Sequence, residues 1–196
     1  MPGEIAAVHQ FWFGQLDETG LARADRHRLW FAASPETDAT IRDRFGEQVE
    51  LAVAGNLAGW AGRDDGLIAL ILLLDQFTRN IYRGTPRAFA GDELALALAR
   101  QAVNSGRYRG LPAIHQVFLY MPLEHSEDLA TQEECVDLFE LLAEVTGDPG
   151  IREFSRYAVA HREVIARFGR FPHRNAILGR PSTPEEREYL RDHGGF

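Results

Sequence analysis

The chain has 196 residues, 45% of them hydrophobic and 10% aromatic, which is enough apolar material for one packed domain and leaves no polar tract of the kind that stays disordered. Its net charge of -8 sets the average surface against phosphate backbones and anionic membranes, so neither nucleic acid nor a membrane is expected as a partner. All 21 basic residues are arginine, and a chain without lysine cannot form the Schiff base of a pyridoxal-phosphate enzyme or grip nucleotide phosphates as a P-loop does.

Along the chain, Met1-Pro2-Gly3-Glu4 has an acid where a secretory signal carries Lys or Arg, and the apolar stretch after it breaks at His9-Gln10. No export is expected, and the cytoplasm is the expected location. Phe11-Trp12-Phe13, Trp30-Phe31 and Trp60 read as core. Ser34-Pro35 starts a helix, a capping oxygen before a proline whose missing N–H costs nothing at the first helical position, and Ile41, Phe45, Val49 and Val53 continue it at helical spacing. The apolar run 67–74 is eight residues, against the roughly 20 of a membrane span, and reads as a buried central helix extending to Phe77 and Ile81. Residues 92–105 form an Ala-rich helix with a small face at Ala95, Ala99 and Ala102. Ile114, Val117, Phe118 and Met121 mark the next, which is expected to end near Tyr120-Met121-Pro122. Further stripes run through Leu138, Leu141, Leu142 and Val145, and through Ile151, Phe154, Tyr157, Ala158, Ile165 and Phe168. Asp148-Pro149 and Thr183-Pro184 repeat the start signal, Thr183 with the Glu186 of a capping box, while Gly84, Gly106, Gly147 and Gly169 stand where left-handed helix ends belong. With no sustained period-two alternation, the expected fold class is all-α: a single domain over 1–196 of about nine helices stacked as antiparallel helical hairpins, without a clean repeat. The one cysteine, Cys135, excludes an intramolecular disulfide and a multi-cysteine zinc site, and its neighbours Glu133, Glu134 and Asp137 disfavour a thiolate.

Three polar groups interrupt these stripes. Asp75, Gln76, Arg79 and Asn80 end the all-apolar helix; Asp75 and Arg79, four apart, are placed to pair, either as a satisfied ion pair or as part of a ligand site. Glu124-His125-Ser126-Glu127-Asp128 follows the next helix. Ser126 as N-cap with Glu127 and Asp128 in a first turn accounts for three of the five, and leaves Glu124 and His125 open to acid/base work or a divalent metal. Phe171-Pro172-His173-Arg174-Asn175 follows Gly169 on a stretch that proline holds extended, amid Arg167, Arg170 and Arg180, whose forks suit a carboxylate or phosphate as well as internal salt bridges. Residues 151–196 carry 9 Arg against 6 acids, a basic tail on an acidic body. His161 lies on an inward stripe and reads as a satisfied core residue.

The runs Leu72-Leu73-Leu74-Asp75-Gln76-Phe77-x-Arg79-Asn80-Ile81-x-Arg83-Gly84, Tyr120-x-Pro122-Leu123-x-His125-Ser126-Glu127-Asp128 and Arg167-Phe168-Gly169-Arg170-Phe171-Pro172-His173-Arg174-Asn175 through Leu178-Gly179-Arg180, in that order, resemble the bacterial domain-of-unknown-function family 924. The resemblance implies an all-α fold similar to tetratricopeptide-like helical proteins, and it implies no activity, cofactor or catalytic residue.

The residues themselves support two functions. In one, a cleft between helix pairs binds a small anionic ligand or a peptide carboxylate, with Arg79 and Arg174 as forks and Asn80 and Asn175 orienting it. In the other, a hydrolase-like enzyme uses His125 or His173 as general base, with Glu127 and Asp128 holding a metal or the imidazole. Neither needs an organic cofactor, and convergence of the three polar groups on one cleft is expected in both.

Overall fold

The structure is a computed structural model that describes residues 2–23, 25–32 and 34–195. Met1, at the head of the segment read for an export signal, lies outside them. The chain divides into two compact units, Met1–Arg83 with Arg87–Pro122, and Gly84–Pro86 with Leu123–Phe196.

The first unit holds α1 (Pro2–Trp12), α2 (Arg26–Phe31), α3 (Pro35–Val53), α4 (Asp64–Ile71), α5 (Thr78–Ile81), α6 (Asp92–Asn104) and most of α7 (Ala113–Glu124). A π-helical stretch, Leu72–Phe77, joins α4 to α5 without a break, so 64–81 is one rod whose residues 67–77 are all buried. The all-round apolar pattern dictates this, since only a helix with neighbours on every side can bury it. Aromatic rings surround the rod: Phe77 lies 5.1 Å from Phe45 and 5.2 Å from Trp12, and Phe118 lies 5.7 Å from Trp12 and 5.4 Å from Phe13. Phe31, expected in the core, is exposed at the end of the short α2. At Gly91 the α6 N-terminus passes so close to the Leu74 carbonyl that a Cβ would overlap it.

The second unit holds α8 (Leu129–Thr146), α9 (Pro149–Phe168) and α10 (Pro184–His193). Gly147, at φ 63°, ends α8 and the Asp148 side chain accepts from Ile151 N–H to start α9, so these two make a helical hairpin with almost no connecting loop. A 3₁₀ turn, Pro172–Arg174, leads toward α10, whose Thr183–Glu186 capping box forms as the spacing requires. Val164, Ile165 and Phe171 pack with Phe168 and Tyr189 beneath that turn.

Three local expectations are corrected. The helix expected to stop by Pro122 continues to Glu124, because burial of Leu123 and the pairing of Glu124 with a buried histidine, His161, outweigh the one backbone bond proline forfeits. The N-cap of α8 is Asp128, not Ser126: its carboxylate accepts from both the N–H and the hydroxyl of Thr131, while Ser126 accepts from Asp128 N–H. Leu141, Val145 and Tyr157, read as inward stripe positions, are exposed. Counting the rod as one, the described residues form nine α-helices and no strand, with a lone bridge between Leu16 and Ala22.

Candidate functional site

In the first unit the Asp75 side chain is fully buried and Arg79 is 20% exposed. Arg79 Nη1 lies 3.1 Å from Asp75 Oδ1 and donates at 2.7 Å to the Asp75 carbonyl, and the guanidinium forks onto Asp92 at 2.8 and 3.1 Å. Burial opposes its charge, yet Asp75 and Asp92 together raise its pKa above the ordinary arginine value. Gln76 donates to Asp75 Oδ2 at 2.6 Å and reaches Met121 Sδ, and Asn80 donates to Asp38, which also holds Arg83. Each member of this group therefore bonds to a protein neighbour. The same unit contains a pair the sequence reading did not single out. His9 Nε2 donates to the Asp65 carbonyl at 2.8 Å, and its ring meets His115 edge-on at 5.0 Å, with Phe13 at 4.5 Å from His115. Burial, then His9, pushes His115 down to about 4. These residues are far apart in sequence, and no spacing could have paired them.

In the second unit the other two polar groups come together. Glu127 takes a bidentate fork from Arg180 at 2.6 and 2.9 Å and accepts Phe171 N–H at 2.8 Å, tying the end of the 125–128 segment to the 171–180 loop. Burial opposes its ionisation, but Arg180, Phe171 N–H and the charge of Arg174 outweigh it and hold the carboxyl below its usual value. The fork completes through Asn175, which accepts from Arg180 Nε at 3.0 Å and donates to Glu186 and Ser182, while Arg170 clamps Glu186 at 2.6 and 2.9 Å. With Arg170 foremost, these bonds hold Glu186 at about 2. Arg174 is buried with its guanidinium 4.5 Å over the Phe171 ring. Asp128 is spent as the α8 cap.

Glu124, left open to acid/base work by the sequence, finds a partner here that spacing did not suggest, His161, which is buried as its inward stripe implies. Glu124 Oε1 is 3.0 Å from His161 Nδ1, which also lies 2.8 Å from the Tyr157 carbonyl. Two acceptors at one nitrogen assign the proton to Nδ1. His125 stands 6.4 Å from His161, and Phe171 lies 5.6 Å from both His161 and His173. The available signal was Glu124 itself, an acid left without a structural role beside a histidine on an inward face. Cys135 is fully buried close to this group, and burial, then Glu124 and Glu134, raises its thiol pKa well above the usual value. Among the described residues no three His, Cys, Asp or Glu side chains are grouped to hold a metal ion.

His173 leaves this buried network and faces a groove of about 500 Å³. Ala160 and Val164 of α9 form its apolar side, and Glu163 and Arg167 stand on the same helix one turn apart. Tyr189 and His193 of α10, stacked at 4.6 Å and 12°, form the opposite wall, and Gly194 and Gly195 border it. A Cβ on Gly195 would come within 2.8 Å of His173 Cβ, so the backbone passes close over that ring. Burial, then Arg174, His161 and His125, lowers His173 to about 4, and its imidazole is neutral at pH 7. Arg167 pairs with Glu185 at 2.9 Å, with both side chains at least half exposed.

A family model described as "Bacterial protein of unknown function (DUF924)" matches residues 8–194, a span that takes in all three polar groups. The solved structure of a protein of unknown function from Agrobacterium tumefaciens is similar with a TM-score of 0.82 at 36% identity, covering 97% of this chain and 98% of that one. No curated protein matches the chain. The chain belongs to the DUF924 family of bacterial proteins of unknown function.

Proposed function

We propose that the second unit binds a small carboxylate-bearing molecule, or a peptide carboxylate, in the groove lined by α9, α10 and His173. The observation that carries this reading is the groove's make-up: a concavity within the roughly 300–1,000 Å³ of small-molecule sites, with an apolar side, an aromatic wall and one arginine reachable from solvent. Arg79 and Arg174, the forks expected from sequence, are engaged with Asp75, Asp92 and the Phe171 ring, so the anchoring role passes to Arg167. Its bond to Glu185 is an exposed ion pair of the class worth about 0–1 kcal/mol, which a ligand carboxylate can replace. The single cysteine accords with a cytoplasmic protein and a cytoplasmic ligand. The test is thermal unfolding with benzoate and with benzamide. Benzoate raises the midpoint in a saturable, salt-sensitive way and benzamide does not, and Arg167→Gln abolishes the difference. Equal responses to the two probes, or none to either, overturn the reading.

One observation favours an enzyme as the second reading: a carboxylate-oriented imidazole, Glu124–His161, whose Nδ1–H tautomer makes Nε2 the proton-accepting nitrogen of a general base. Glu127 and Asp128, the acids first assigned to a metal or an imidazole, are bonded to Arg180 and to Thr131. Saturable hydrolysis of p-nitrophenyl acetate that His161→Gln removes and His173→Gln leaves intact would favour this reading. Turnover unchanged in His161→Gln would end it.

A further inference from the structure

We propose that the occupant of the groove is a zwitterion: a free α-amino acid with an apolar or aromatic side chain, its ammonium at Glu163 and its carboxylate at Arg167. The inference rests on the carboxylate-binding reading above and adds the second charge. Glu163 and Arg167 are four residues apart on one helix, an arrangement that brings Cβ atoms to about 5–6 Å and, with Glu on the N-terminal side, favours an ion pair along the helix. That pair does not form. Arg167 turns instead to Glu185, with its guanidinium 4.7 Å from the Phe168 ring and 5.8 Å from the Tyr189 ring. Among the described residues the Glu163 side chain makes no hydrogen bond or ion pair, so its carboxylate stands at the groove with no protein cation to answer it.

The groove therefore has two poles of opposite sign on one wall, one helical turn apart. A plain carboxylate would satisfy Arg167 and meet repulsion from Glu163; a plain cation would meet the reverse. A molecule with both charges on neighbouring atoms answers both, since the long Glu and Arg side chains can converge on a separation shorter than that of their Cβ atoms. Its third substituent has an apolar side to lie on, Ala160 and Val164, and a flat face to stack on, the Tyr189–His193 pair. His173, neutral at pH 7, adds a polar atom to the groove without adding net charge.

The experiment is calorimetric titration of the full chain with three probes: L-phenylalanine, N-acetyl-L-phenylalanine, which lacks the cation, and L-phenylalaninamide, which lacks the carboxylate. Phenylalanine is expected to bind at least 10-fold more tightly than either derivative. Glu163→Gln should erase its advantage over the N-acetyl form, and Arg167→Gln its advantage over the amide. Both positions are exposed, so the variants are expected to fold, which circular dichroism checks. If wild-type protein takes N-acetylphenylalanine as well as phenylalanine, the zwitterion inference is overturned and the carboxylate reading stands. If only the amide binds, both are overturned. If none of the three binds, the inference is overturned, and the benzoate response alone decides the carboxylate reading.

Discussion

Arg79 answers two carboxylates at once, one of them fully buried, and its loss would leave both without their shared cation. Arg79→Ala is expected to lower the unfolding free energy by about 3 to 5 kcal/mol in urea titration, as for breaking a buried pair; a change under about 1 kcal/mol would contradict the account. Half of this group was legible. Asp75 and Arg79 announce themselves four apart on an apolar helix, whereas Asp92 joins only because the fold brings it there. The same limit applies to His173-Arg174-Asn175: adjacent in sequence, they point different ways because a 3₁₀ turn rotates each residue by about a third of a circle, and only His173 reaches the groove. The neutral histidines give the fold a pH dependence of definite sign. His115 and His173 take protons near 6.5 when unfolded and only near 4 when folded, so between those values the unfolded chain binds more protons and stability falls as pH falls. Each contributes on the order of 1 to 3 kcal/mol to that loss. Unfolding free energy should be level from pH 8 to 7 and drop between about 6.5 and 4, with a smaller drop in His115→Leu. A flat profile across that range would refute the burial of both rings.

At the scale of elements, the starts and stops were readable because each rests on local chemistry. The Ser34, Asp148 and Thr183 caps before proline, and Gly147 and Gly169 after the last turn, depend on a few adjacent residues. The π-helical stretch was not readable, since its bonding shift leaves the apolar pattern of 67–77 intact; nor was the helical Pro122, whose tolerance depends on what buries Leu123 and Glu124. Gly91 marks where one element limits another. Its α6 N-terminus abuts the Leu74 carbonyl in the π-helical stretch, where no flexible side chain can give way. Gly91→Ala is therefore expected to cost about 1 to 3 kcal/mol, the range for overpacking a core, in spite of alanine's better helix propensity. Chemical denaturation of the variant checks this, and a neutral or stabilising effect would contradict the close approach.

For the whole molecule, the excess of arginine after residue 150 is the feature the sequence made plainest and the structure reinterprets most. Arg170 and Arg180 spend their charge on Glu186 and Glu127, bracing the 171–186 segment against the rest of its unit, and Arg174 is buried on Phe171. These three arginines of the tail are internal bracing, Arg152, Arg156, Arg187 and Arg191 are exposed, and Arg167 is the member that lines the groove. Which arginines would be tied down could not be read from composition, because it depends on which acids the fold brings within reach. The central claim, a carboxylate site in the second unit, is tested most directly by the ring resonances of the seven histidines during a benzoate titration. His173 and His193 line the groove, while His9, His27 and His115 belong to the other unit. Saturable shifts are expected at His173 and His193 with His9, His27 and His115 unmoved; silence at the groove pair under excess benzoate, or equal shifts in the first unit, would contradict a carboxylate site there.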